Sequence, residues 1–162
     1  FLNNESSLLF INERLPSLKT IDIKIKVLDS KALVPARQHK GDAGYDLHSI
    51  VEHTLSANEI YKVKTGIAIE IPTNFAGLVL PRSGLSSKFG ITLINSPGLI
   101  DSGYRGELLV PLVNHSEKEY TIKIGERVAQ LIIVKSPDVE FILSENLDIS
   151  ERDEQGFGST DE

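Results

Sequence analysis

None of the 162 residues is cysteine. Disulfide staples, thiolate-ligated zinc and cysteine-nucleophile chemistry are therefore excluded. Methionine is absent too and the chain opens at Phe1, so the sequence itself does not define the natural start of the protein. Clustered cations are missing: 17 Lys+Arg face 23 Asp+Glu, a net charge of −6, and no stretch gathers the basic residues into a stripe. Nucleic-acid and anionic-membrane partners rely on such clusters, so neither is expected. Long apolar runs are also lacking, and Leu131-Ile132-Ile133-Val134 is far too short to cross a bilayer. Leu8-Leu9-Phe10-Ile11 has no basic region before it, so no secretory signal is read and a cytoplasmic location is expected. What remains is the composition of a folded domain, 40% hydrophobic and 25% charged. A compact chain of this length buries roughly 68–70% of its unfolded surface, enough for one core.

Strand patterns dominate. Ile21-Asp22-Ile23-Lys24-Ile25-Lys26-Val27 alternates apolar and charged residues with a period of two, as a half-buried strand requires. Further strands are predicted at Tyr61 to Thr65, Gly66 to Ile71, Ala76 to Leu80, Ile91 to Ile94, Glu107 to Val113, Tyr120 to Ile124 and Val128 to Val134. Gly, Pro, Asn and Ser punctuate them at the short intervals of a sandwich or barrel. Pro72, Pro81, Pro97 and Pro111 would each interrupt a helix. Helix is expected only around Ser6 to Arg14 and, for a turn or two, around Leu85 to Phe89. Residues 1–20 are read as an N-terminal extension of unknown role, 21–150 as one β domain, and 151–162 as a mobile C-terminal tail.

Five segments combine glycine with charged or hydroxyl residues. Asp42-Ala43-Gly44-Tyr45-Asp46-Leu47 reads either as an Asx-type turn or as a pair of carboxylates facing a metal or its waters. Pro81-Arg82-Ser83-Gly84-Leu85-Ser86-Ser87-Lys88 opens the short helix. It suits a phosphate through arginine, hydroxyls and backbone N–H groups, or equally a helix capped by Ser83. Asn95 to Glu107 forms an unusually decorated hairpin loop in which Asp101 follows apolar Leu99-Ile100, a setting able to raise a carboxylate toward a general base's range. Gly125-Glu126-Arg127-Val128-Ala129-Gln130-Leu131 enters a strand and, by itself, reads as structural. Arg152-Asp153-Glu154-Gln155-Gly156-Phe157-Gly158-Ser159-Thr160 lacks the lysine of a phosphate loop. It is either a frayed terminus or a tail offering an arginine to phosphate and a ring to a nucleobase. The four histidines have no zinc-ligand spacing and are read as surface residues.

In this order, the five segments strongly resemble the five motifs of the homotrimeric dUTP pyrophosphatases, over roughly Ile21 to Thr160. The resemblance implies an all-β, jelly-roll-like domain of the β-clip kind with one short helix. It also implies a homotrimer with three shared sites and hydrolysis of dUTP to dUMP and pyrophosphate with Mg²⁺ on the triphosphate. By the same resemblance Asp101 is the base that activates water. Asn95, with the backbone of Gly98, Leu99 and Ile100, reads uracil, and Tyr104 excludes a 2′-hydroxyl. Arg82, Ser83, Gly84 and Gln130 hold phosphates and water, and Asp46 touches the metal through water. Arg152, Phe157, Gly158, Ser159 and Thr160 form a lid. Two departures stand out: Asp153-Glu154-Gln155 replace the family's glycines, and residues 1–20 have no counterpart in the family core. The rivals are a dCTP deaminase-like enzyme of the same fold and a non-catalytic nucleotide-binding regulator.

Overall fold

The alternation at 21–27 does produce a strand, but a shorter one, β1 (Lys24–Val27). Its apolar residues are not fully covered within one chain, and Ile21 and Val27 are exposed. The computed structural model describes residues 20–150, so the helix expected around Ser6 to Arg14 and the whole fifth segment lie outside the described residues. After β1 come β2 (Tyr45–His48), β3 (His53–Leu55), β4 (Ile60–Lys64), β5 (Ile67–Glu70) and β6 (Phe75–Leu80). The helix α1 (Ser83–Phe89) follows, then β7 (Ile91–Leu93), β8 (Gly98–Ile100), β9 (Leu109–Asn114), β10 (Tyr120–Ile122) and β11 (Arg127–Lys135). The architecture is the expected all-β, jelly-roll-like one, with a single short helix among the described residues.

All strand pairs are antiparallel and fall into four small sheets: β1-β5, β10-β3, β4-β9-β7 and β2-β11-β6-β8. The core between them is aliphatic, with Leu47, Leu55, Val63, Ile67, Val110, Leu112, Ile122 and Val128 essentially inaccessible. The fully buried Ser49, Thr65 and Asn114 side chains within it are hydrogen-bonded, as burial demands. Thr65 Oγ1 donates to Leu108 O at 2.6 Å, and Asn114 Nδ2 donates to Leu55 O and Lys118 O.

Three strands escape the sequence pattern. β2 lies inside the segment read as a turn, β3 has only three residues, and β8 lies inside the loop read as decoration. The hairpin itself is real, because β7 pairs with β9 (Leu93 opposite Leu112). Its excursion, however, contributes β8 to another sheet. Ser83 is not the helix N-cap. Arg82 occupies that position with extended backbone and no side-chain cap bond, so the hydroxyl of Ser83 is not spent on capping. The helix stops at Gly90, whose φ of 70° is the left-handed conformation that glycine adopts without strain.

Candidate active site

Three neighbouring strands gather the polar residues of segments one, two and four. On β2, Asp46 stands directly opposite Gln130 of β11, and Gln130 in turn faces Leu80 at the end of β6. The chain then leaves β6 through Pro81 and Arg82 into α1. Asp46, Gln130 and Arg82, with Ser83, Gly84, Gly44, Asp42 and Arg127, line a cleft of about 350 Å³. Asp46 is only 9% exposed, and two guanidiniums flank it. Arg82 Nε lies 3.5 Å from Oδ1, and Arg127 Nη1 lies 3.4 Å from Oδ2. Arg82 Nη1 also donates to the Arg127 carbonyl at 3.0 Å, so the two arginines form one unit. Gln130 Nε2 donates to Pro81 O at 3.0 Å, which fixes the carboxamide beside them.

Arg127 is the functional candidate that sequence reasoning missed. Three positions from Gln130, it should face the opposite side of a regular strand. A register irregularity between Arg127 and Ala129 shifts the alternation, and both side chains reach the cleft. No sequence pattern announces that bulge.

Asp42 lines the same cleft, but its Oδ2 accepts the His39 N–H at 2.9 Å, the local turn bond that was one of its two readings. Two arginines and two aspartates leave the cleft formally neutral. Among the described residues no group of three or more His, Asp or Glu is arranged to hold a metal by itself. The donor set suits Mg²⁺, which is bound through one or two carboxylates, water and substrate phosphates rather than in an all-protein cage.

Two of the four histidines are not simple surface residues. His48 is half-buried on β2 with no partner for its Nδ1. Burial holds its imidazole below the ordinary pKa, with Arg127 and Arg82 acting in the same direction against Asp46. His53 stacks on Tyr61 at 3.6 Å and pairs with Glu59 at 2.6 Å.

Segment three is built separately. β8 is the edge strand of its sheet and pairs only with β6, with Gly98 opposite Val79 and Ile100 opposite Gly77. Half of its backbone N–H and C=O groups therefore face away from any partner strand. Asn95 is exposed in the turn before it, with its amide over Gly98, and the Ser96-Pro97 peptide is cis. Asp101 is exposed, so Leu99 and Ile100 do not bury it as the sequence suggested. Tyr104 is fixed by its hydroxyl, which donates to Glu107 O at 2.9 Å, and its ring lies against Gly106. Arg105 ties the same turn through Ser102 O and Tyr104 O. None of Asn95, Asp101 and Tyr104 lines the cleft that holds Asp46 and Gln130.

The described residues thus form an antiparallel jelly-roll with a polar cleft of two arginines, two aspartates and Gln130, and with a separate hairpin that exposes Asn95, Asp101 and Tyr104 around the edge strand β8. The comparisons with known proteins identify the family. The dUTPase family model matches residues 30–161. A deoxyuridine 5′-triphosphate nucleotidohydrolase of Clostridioides difficile is 43% identical, covering 86% of this chain and 97% of the relative. That of Nautilia profundicola is 47% identical, covering 85% and 97%. Among solved structures, a mutant dUTPase of Staphylococcus bacteriophage 80alpha with dUpNHpp superposes with a TM-score of 0.78 at 32% identity, covering 87% of this chain and 99% of that one. A mutant dUTPase from phage phi11 of S. aureus, described for the coordination of a structural Mg(II) ion, gives 0.74 at 29%, covering 79% and 99%. The chain belongs to the dUTPase family.

Proposed function

We propose that this protein is a dUTP diphosphatase, converting dUTP and water to dUMP and pyrophosphate. The observation that carries this assignment is the cleft in which Arg82, Arg127, Gln130 and Asp46 converge beside a strand edge suited to a pyrimidine. Gln130, Arg82, Ser83 and Gly84 bind the phosphates and the attacking water. Asp46 is the residue that would hold Mg²⁺ through its waters, and the ion supplies charge neutralisation on the triphosphate that a formally neutral cleft does not. Asn95 and the free backbone groups of Gly98, Leu99 and Ile100 read the uracil edge. The fixed ring of Tyr104 packs under the deoxyribose and leaves no room for a 2′-hydroxyl. Asp101 takes the proton of the water that attacks the α-phosphorus. Arg152, Phe157, Gly158, Ser159 and Thr160 close over the nucleotide and exclude water.

The sites are shared within a homotrimer. Two observations support this. The Asp101 hairpin and the phosphate cleft do not line one pocket within a single chain. Residues 137–149, moreover, leave Phe141, Leu143, Leu147 and Ile149 at least 90% exposed, an apolar arm that calls for another surface. An apolar groove of about 640 Å³ beside β1, lined by Ile21, Ile23, Ile25 and Leu131, is such a surface. No helix among the described residues is long and apolar enough to cross a membrane. We place the enzyme in the cytoplasm, with its nucleotide substrate.

The test is pyrophosphate release from dUTP against dTTP, dCTP and UTP, with and without Mg²⁺. Selective, Mg²⁺-stimulated release from dUTP is expected. Ammonia from dCTP would assign a deaminase instead, and nucleotide binding without turnover would assign a regulator.

A further inference from the structure

Gly44 is a glycine that the backbone does not require. The glycines with positive φ among the described residues are Gly41, Gly66, Gly90 and Gly125, so an L-residue fits the conformation at position 44. Space is what excludes a side chain there. A Cβ on Gly44 would lie 2.3 Å from Gln130 Oε1, 3.0 Å from Gln130 Cβ and 3.1 Å from Gln130 Cδ. Rotating the amide alone cannot relieve contacts with both ends of the side chain. On its other side the same carboxamide donates to Pro81 O, the carbonyl just before Arg82. The amide of Gln130 is thus held between a bare Cα and a carbonyl. One of its two N–H groups is left to donate into the cleft.

We propose that Gly44 is a positioning residue for hydrolysis: its missing side chain fixes the Gln130 carboxamide at the phosphates and the attacking water. This rests on the assignment of Gln130 to those ligands. A methyl group at position 44 pushes Oε1 back by about 1 Å, a misplacement that can cost on the order of a hundredfold in rate. The backbone conformation accepts alanine, but its Cβ must also be accommodated against Gln130 Cβ at 3.0 Å, so a modest overpacking loss of stability is expected beside the loss in rate.

The experiment compares Gly44→Ala, Gln130→Ala and the double variant with the wild-type protein. It measures kcat and KM for dUTP, the thermal midpoint, and the side-chain amide signal of Gln130 in a ¹H–¹⁵N spectrum. Gly44→Ala should lower kcat by about tenfold to a hundredfold, shift the Gln130 amide signal, and lower the midpoint only modestly, with the protein still folded at the assay temperature. In the Gln130→Ala background it should cost almost nothing further in kcat, since no carboxamide is left to displace, even though the Cβ contact persists. Wild-type turnover in Gly44→Ala, or losses that multiply in the double variant, would overturn the proposal while leaving Gln130 in the site. Wild-type turnover in Gln130→Ala would remove Gln130 from the mechanism, and the role of Gly44 with it. If Gly44→Ala does not fold, Gln130→Asn tests the contact from the other side. Its shorter carboxamide makes room, so adding Gly44→Ala should then give a folded protein no slower than Gln130→Asn alone. A further loss there would also overturn the proposal.

Discussion

Replacing Asp46 by asparagine keeps the shape of the side chain and removes the charge that faces both guanidiniums. The gross Coulomb attraction of each pair, at 3.5 Å to Arg82 and 3.4 Å to Arg127, is about 4–5 kcal/mol at an effective dielectric near 20. That figure needs a heavy discount. The Arg82 and Arg127 side chains remain 27% and 40% exposed against 12% for Asp46, so solvent screens both pairs. The cost of desolvating the carboxylate offsets much of the rest. A net destabilisation of about 2 kcal/mol is expected, or roughly 4–8 °C in thermal midpoint for a chain of this size. Binding should change in the opposite sense. The cleft gains one unit of positive charge, so without metal the variant should bind dUpNHpp several-fold more tightly than the wild type. With Mg²⁺ the order should reverse and hydrolysis should slow, because a neutral amide attracts the hydrated ion far less. Calorimetric titration with EDTA and with Mg²⁺, beside thermal melts, reads every part. Unchanged stability, or weaker metal-free binding, would refute the charge-balance reasoning.

Asp101→Asn should fold and bind the analogue but hydrolyse dUTP about 10²–10⁴-fold more slowly, as expected for a lost general base; near-normal turnover excludes that role. Tyr104→Ala should raise the UTP-to-dUTP ratio of kcat/KM even as both values fall, and an unchanged ratio means that another group reads the sugar. A chain ending at Ser150 and a full-length Asp101→Asn chain should each be nearly inactive but regain activity when unfolded together and refolded as a mixture. Failure with mixed trimers verified by mass places each site within one subunit. The Glu59 carboxyl is held below its ordinary 4.5 first by the Ser56 N–H and then by His53. Its stabilising contribution is therefore complete above that value and lost as pH falls through the lower, folded one. Melts between pH 6 and 3 should show a shallower acid decline for Glu59→Gln than for the wild type, and identical slopes would contradict the linkage.

Strands were readable where period two survives, as at Tyr61 to Thr65, or where an apolar, β-branched run announces them, as at Val128 to Val134. β2 was not readable, since Gly44 and two aspartates carry the composition of a turn. In the fold the turn ends at Asp42 and a ladder to β11 begins at Tyr45. β8 hid for a similar reason, because a strand of three residues containing glycine declares itself only through its partner β6. The five segments were visible as departures from strand pattern, yet their roles came from resemblance, as residue types alone left turn, cap and tail readings open. Arg127 was lost to alternation: the odd spacing from Gln130 points them apart, and only the bulge, a property of the pairing with β2, brings them together. Of the two readings left open for Ser83, the cap falls, because Arg82 takes that position through its backbone conformation, which no side-chain preference encodes.

β6 touches two neighbours, and this has a consequence for how the protein can change length. From Phe75 to Leu80 it is in register with β11, ending where Leu80 faces Gln130, while Gly77 to Val79 set the position of β8. One six-residue segment is thus the ruler from which both the phosphate cleft and the pyrimidine edge are measured. A single inserted or deleted residue there would turn its side chains to the wrong face and move Arg82 against both neighbours. Even a methyl group at Gly77 would crowd Leu131 on one side, at 3.1 Å, and Ile100 on the other, at 3.2 Å. Insertions, grafts and tags therefore belong in turns such as Ser56–Glu59, which lines neither the cleft nor the hairpin, and lineages of this enzyme should vary in length there while β6 keeps its count.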